Sequence, residues 1–218
     1  MTIPDPYGRA MFHGRYGDNA TIAMLKEAER ILGYELTITQ FIGGASASAG
    51  SHTKGRMADL AAFDWRRKLK VISDLGGFGW YRPFRAGVWG AHIHVGSIFE
   101  SRSNQRGIDG VGFRQIASWD ARRDGLVSNA ADFYDYRPDP KQVWSLKDYQ
   151  ATFEKPKLEA TPVQKVRNEI VLAIHNLADG IAKMSDVHEN RIRVHAQAQP
   201  LIEERRHLKK ILAEMPLK

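Results

Sequence analysis

Residues 89–99, WGAHIHVGSIF, are rich in β-branched and aromatic side chains and contain no acidic residue, a composition that reads as a β-strand. The elements ahead of it alternate in type. Over 19–35, NATIAMLKEAERILGYE spaces Ile22, Leu25, Ala28, Ile31 and Leu32 along a helical face, with Asp18 or Asn19 to cap it and Gly33 to end it. ELTITQ (35–40) alternates Leu36 and Ile38 with threonines, the pattern of a half-buried strand. ADLAAF (58–63) reads as a short strand, and DWRRKLKVISDLGG (64–77) as a helix started by Asp64 and stopped at Gly76 or Gly77. The order helix, strand, loop, strand, helix, strand predicts an α+β domain with a small sheet and flanking helices. An aromatic loop precedes the last strand, and residues 103–127 add a peripheral helix.

With 218 residues and 43% apolar content, the chain can supply a core for one domain of ordinary size plus an appendage. There is no cysteine. Disulfides, thiolate zinc sites and cysteine nucleophiles are therefore excluded, and any metal must sit on His, Asp or Glu. The first residues lack an apolar signal-peptide core, and no long uncharged apolar run occurs, so a cytoplasmic product with no membrane span is expected. A net charge of +7 favours polyanionic partners, nucleic acid or an anionic cell wall. Because the basic residues are scattered and no nucleic-acid-binding signature accompanies them, nucleic acid is not expected.

The chemistry concentrates at two places. FIGGASASAGSHTKGR (41–56) is a long loop of small, polar and glycine residues, and long loops inside compact domains are more often functional than accidental. In AHIHVG, His92 and His94 stand at i and i+2 and project from the same strand face. Catalytic zinc takes three protein ligands and keeps a fourth position open, and His52, Asp59 and His94 would supply such a set. Together they leave net positive charge at the metal, enough to acidify water and polarise an amide carbonyl. A solvated loop histidine, an ordinary HxH strand and an aspartate that merely begins a strand are the alternatives.

SHTKGRMADL, followed about 30 residues later by WGAHIHVG, resembles the zinc peptidases of the D-Ala-D-Ala carboxypeptidase, vancomycin-resistance dipeptidase and Hedgehog superfamily. Their first motif is His, two residues, Gly, three residues, Asp, and their second ends in a ligand His, often the second of an HxH pair. Over about residues 12–137 the chain is similar to the peptidoglycan-cleaving domains of actinobacterial phages, where segments like KEAERILGYELTITQ, GGASASAGSH and ARRDGL occur in this order. The resemblance implies a small antiparallel sheet, Zn2+ on His52, Asp59 and His94, and cleavage of the peptide stems of bacterial peptidoglycan. It implies a phage lysin released through a holin pore, or a virion-associated wall hydrolase. The alternative is a virion component with a degenerate peptidase fold that binds wall or tail proteins without cleaving.

One departure from the family concerns the acidic base three or six residues before the last ligand, where this chain has Ala91 and Val88. His92 is the nearest replacement, since imidazole moves protons near neutrality; a histidine bonding a loop carbonyl is the other reading. Family members place an Arg or Gln oxyanion donor on the strand ahead of the first ligand, which maps to Gln40, otherwise a strand-terminal surface amide. Trp80, Tyr81, Phe84 and Trp89 surround the second motif, as groove lining or as core.

The expected domains are 1–136, peptidase-like, a linker over 137–160 rich in proline and charge, and a helical tail over 161–218. In the tail Val163, Val166, Ile170, Ala173, Leu177, Met184 and Val187 fall at a- and d-like spacings, Gly180 weakens one position, and Ile174 and Ile181 widen the stripe. Leu201, Leu208, Ile211 and Met215 form a second stretch. The tail packs on its own domain as a helical hairpin, or serves self-association or docking to virion tail proteins.

Overall fold

The computed structural model describes residues 2–43, 50–53, 55–86, 88–99, 111–132, 134, 136–138 and 143–154, with helical positions between 162 and 177 and between 202 and 214. It is a mixed α and β structure with two small antiparallel sheets. The first is a hairpin of β1 (Arg9–Phe12) and β2 (Arg15–Asp18). Its two turn residues, His13 and Gly14, both have positive φ, 46° and 74°, as a tight turn matching strand twist requires. His-Gly is a weaker turn signal than Asn-Gly, and the hairpin is absent from the sequence reading.

Helix α1 (Asn19–Leu32) follows directly. Asp18 caps it, its Oδ1 accepting the Thr21 amide at 2.6 Å, and Gly33 closes it by donating to the Glu29 carbonyl. Both ends are where the sequence places them. The second sheet contains β3 (Ile38–Gln40), β4 (Met57–Ala61), β5 (Gly77–Arg82) and β6 (His92–Ser97), in the order β3-β4-β6-β5. Helix α2 (Trp65–Asp74) lies between β4 and β5 in sequence. Asp64 occupies its cap position without capping: its carboxylate accepts the Tyr34 hydroxyl at 3.0 Å and its backbone is left-handed, which draws the side chain away from the α2 amides.

Strand alternation and the registers Asp59↔His94 and Trp80↔His94 divide the sheet into two faces. Ala58, Leu60, Ile93 and Val95 join the main core with Met24 and Leu25 of α1 and Leu69 and Ile72 of α2. On the opposite face, Met57, Phe78 and Trp80 pack with Ile116 and Trp119 of α3 (Val111–Asp120). The rest of that face is polar, carrying Asp59, His92, His94 and Arg82. Burial of the first face and of one end of the second thus leaves a single polar corner on a rigid sheet.

Two segments correct the sequence reading. The aromatic loop is in large part β5, whose glycines dilute the strand pattern yet are needed: a Cβ at Gly79 would lie 2.6 Å from the His94 carbonyl oxygen and 2.7 Å from Val95 Cγ1. Within the expected linker, residues 143–154 hold α4 (Leu146–Ala151), opened by a capping box between Ser145 and Asp148. Trp144 bridges to Phe99, and Tyr149 is fully buried in the main core with its hydroxyl donating to the Pro4 carbonyl at 2.8 Å. Proline and charge dominate the composition there, but the apolar side chains among them pack.

In the tail, residues 162, 163, 166, 169, 170, 173, 174, 177, 202–211 and 214 are helical. Ile170 and Ile174 pack with Ala61 and Phe63, so this part of the stripe is covered within the chain. Residues 103–110 of the expected peripheral helix, and Gly180, Ile181, Met184, Val187, Leu201 and Met215 of the tail, lie outside the described residues. No helix among the described residues is long and apolar enough to cross a membrane.

Candidate metal centre

His52 sits in the loop before β4, and the backbone explains why it is held there. Gly55 has φ 77°, and a Cβ on it would lie 2.9 Å from the Asp18 amide nitrogen, where the Gly55 carbonyl accepts that amide. The glycine of the His-to-Asp spacing therefore lets the hairpin close against the loop. Arg56 next to it is structural, its buried Nε 2.7 Å from Asp18 Oδ2. The His52 ring is then fixed by Nδ1, which lies 2.8 Å from the Phe41 carbonyl and 3.0 Å from that of Met57. Both partners are acceptors only, so Nδ1 is protonated and Nε2 is the nitrogen turned toward Asp59. That nitrogen is 3.3 Å from Asp59 Oδ2.

Asp59 and His94 are cross-strand partners on β4 and β6, and His94 Nδ1 lies 2.7 Å from Asp59 Oδ1. His94 Nε2 is buried without a hydrogen-bond partner among the described residues. One donor atom from each of His52, Asp59 and His94 falls within 4.8 Å of the others, close enough for one ion to reach all three. His52 and His94 are 1% and 3% exposed.

The electrostatics suit a cation. Burial pushes the Asp59 carboxyl up, but the neighbouring His92 and His94 and hydrogen bonds from His52 and His94 outweigh it and hold the pKa well below the usual range. Burial drives His94 down to about 3, against the pull of Asp59 and with help from His52 and Arg82. His94 is thus neutral at physiological pH, with a lone pair to give. For His52, burial lowers the pKa, while Asp59 and the two carbonyls raise it further than burial lowers it. A buried carboxylate facing imidazole donors is a set that can hold a metal ion.

The remaining candidates are placed differently. His92, buried opposite Ala61 and Arg82, donates from Nδ1 to the Gly90 carbonyl at 2.8 Å and brings Nε2 to 3.8 Å from Asp59 Oδ1. Gln40 ends β3 beside Asp59, but its amide donates to the Gly43 carbonyl at 3.2 Å and so serves its own loop. Trp80 is core, with its indole N–H on the Arg123 carbonyl, and Tyr81 stacks on Trp65 on the other face. Phe84 is exposed, and Trp89 stands edge-on to His92 with ring centroids 6.1 Å apart. Arg82 is the site-face residue that sequence reasoning missed. Its period-two spacing from Trp80 would have signalled it had β5 been read as a strand.

No family model, curated protein or solved structure matches this chain.

Proposed function

We propose that the protein is a zinc metallopeptidase acting on the peptide stems of bacterial peptidoglycan, as a phage lysin or a virion-associated wall hydrolase with a fold of the Hedgehog and DD-peptidase type. The reading is supported chiefly by the convergence of His52, Asp59 and His94, one donor atom of each lying within 4.8 Å of the others, with His92 Nε2 alongside. The donor set fits zinc. Imidazole and carboxylate are ligands zinc takes when thiolates are absent, and one donor atom of each residue lies within 4.8 Å of the others. Bound there, zinc supplies Lewis-acid activation of water and of the amide carbonyl.

The chain's own residues orient this chemistry. The Phe41 and Met57 carbonyls hold His52 in the tautomer that presents Nε2, the supporting arrangement usual for metal-binding histidines. The Gly90 carbonyl does the same for His92, leaving Nε2 to accept and return a proton.

A second reading, a non-catalytic virion component that binds wall or tail proteins, is favoured by the burial of His52, Asp59, His92 and His94, since closed metal sites are the structural kind. One experiment separates the two. The purified chain is expected to bind about one zinc, and His52→Ala, Asp59→Ala and His94→Ala each to abolish it, because a three-ligand site tolerates little loss. Zinc-loaded protein is expected to release new amino termini from purified peptidoglycan. Zinc binding without cleavage would leave the binding protein; no zinc binding would end both metal readings.

A further inference from the structure

Helix α3 turns one face to the core and leaves the other to build a cavity. Ile116 and Trp119 pack against Met57, Phe78 and Trp80. Arg114, Ala117 and Ser118, with Ala121 just past the helix end, stand at i, i+3, i+4 and i+7, on the opposite face. The three small side chains leave room beside the helix, and residues 123–129 return along it. Between them lies a cavity of about 550 Å³, whose far wall includes Leu126, Val127 and Asn129. Such a volume takes a small organic molecule. None of His52, Asp59, Arg82, His92 and His94 lines it.

The far wall is held in place by the fold itself. The Arg123 amide donates to the Ser118 carbonyl at 2.8 Å, the Asp124 amide to the Ala130 carbonyl at 2.9 Å, and the Trp80 indole to the Arg123 carbonyl at 2.7 Å. Gln115, 3% exposed and part of the cavity lining, ties helix to loop by donating from Nε2 to the Gly125 carbonyl at 2.7 Å. That bond orients the amide and leaves Oε1 buried, with no hydrogen-bond partner among the described residues. Buried acceptors normally find a donor, and a ligand hydroxyl seated at the floor of the cavity supplies one.

The charge of the lining has one sign. Arg114 and Arg123, both exposed, line the cavity, and no acidic residue lines it among the described residues. The carboxylates that follow in the chain are engaged elsewhere: Asp124 Oδ1 accepts the Leu126 amide at 2.9 Å, and Asp132 is paired with Arg137 at 2.7 Å. Two guanidiniums facing one cavity suit a phosphate, whose several oxygens accept from both. One ligand would thus present a phosphate to the arginines, a hydroxyl to Gln115 and carbon to Ala117, Ala121 and Leu126. Polyol and sugar phosphates carry all three. A nucleic-acid strand would stack its bases on aromatic rings, and none lines the cavity among the described residues.

We propose that this cavity binds a phosphorylated polyol or sugar through Arg114 and Arg123, at a site separate from the metal centre. The proposal does not rest on the peptidase reading.

The test titrates sn-glycerol 3-phosphate with the full chain in EDTA and follows 31P line broadening. Saturable broadening is expected with wild type. Arg114→Gln and Arg123→Gln should each bind about tenfold or more weakly, the scale of a lost charge-assisted hydrogen bond. Ala117→Leu, which fills the cavity and keeps both charges, should weaken binding too, and this separates a shaped site from general attraction of anions. All three positions are exposed, and zinc uptake is expected to be unchanged in each variant. An unbroadened line with wild type, binding untouched by the three variants, or inorganic phosphate bound as tightly as the ester overturns the site. Poly(glycerol phosphate) that displaces the probe more tightly than the monomer, through the same arginines, supports the site and assigns its ligand to an anionic wall polymer. Equal affinity per phosphate supports it and assigns the ligand to a soluble ester. A single-stranded oligodeoxynucleotide that displaces the probe more tightly than either overturns it in favour of nucleic acid.

Discussion

His92 makes two demands on one imidazole, and the geometry reconciles them. A proton on Nδ1 bonded to the Gly90 carbonyl looks like a structural role, but the same bond decides that Nε2 holds the lone pair and faces Asp59 Oδ1 at 3.8 Å. Fixing the tautomer by the far nitrogen is how a histidine is prepared as a base. If His92 moves the proton, His92→Ala should keep its zinc and fold while losing on the order of a hundredfold or more in rate, measured as kcat on a soluble muropeptide. Unchanged kcat with zinc in place would transfer the role to another group. The residues of this corner were unequally legible in the sequence. That His92 and His94 share a face follows from the two-residue period of a strand, whereas the pairing of Asp59 with His94 depends on β4 and β6 being neighbours, which no local pattern contains. The direction of Gln40 was not legible, because a strand end does not determine where a long amide points, and here it donates to the Gly43 carbonyl.

At the level of elements, legibility tracks how strongly local pattern and tertiary environment agree. Helix α1 announces its cap, its face and its stop, because all three are local. Strand β5 does not. Gly77, Gly79 and three aromatic or apolar side chains in GFGWYR look like loop, since the reason for glycine is the approach of β6 and α2, which no local window contains. The same holds for α4, whose buried Tyr149 is explained only by Pro4 and Phe99 far away in sequence. This suggests a test of β5 as scaffold for the metal centre. In Gly79→Ala the new methyl meets the His94 carbonyl oxygen at 2.6 Å, Val95 Cγ1 at 2.7 Å and Leu69 Cδ2 at 3.0 Å. Overpacking of this kind costs about 1–3 kcal/mol, so the urea midpoint should fall, and zinc affinity should fall with it because the displaced strand carries His94. A lowered midpoint with zinc affinity intact would show that β5 supports the fold without positioning the ligand.

The arrangement of the whole molecule turns on where the tail rests. Both hydrophobic clusters flanking the sheet are built from residues no later than Phe153, so the sheet, α1 to α4 and the metal centre do not depend on the tail for a core. The tail nevertheless touches them. Ile170 and Ile174 pack on Ala61 and Phe63, and Ala61 is the β4 partner of His92 on the site face. Val163 and Val166, 43% and 49% exposed, continue the same helical stripe without such cover. A chain ending at Lys157 should therefore fold and bind zinc, with Tm lowered by a few degrees for the loss of about 1–3 kcal/mol of apolar burial. Uncovering Ala61 beside His92 should also speed zinc loss to EDTA relative to the full chain, followed with a chromogenic zinc indicator. Light scattering on both forms addresses self-association through residues 161–215: a dimer in the full chain and a monomer after truncation would assign it to the exposed part of the stripe. If the shortened chain unfolds instead, the tail helices complete the domain, and Ile170 and Ile174 belong to its core as surely as Leu60 and Ile93 do.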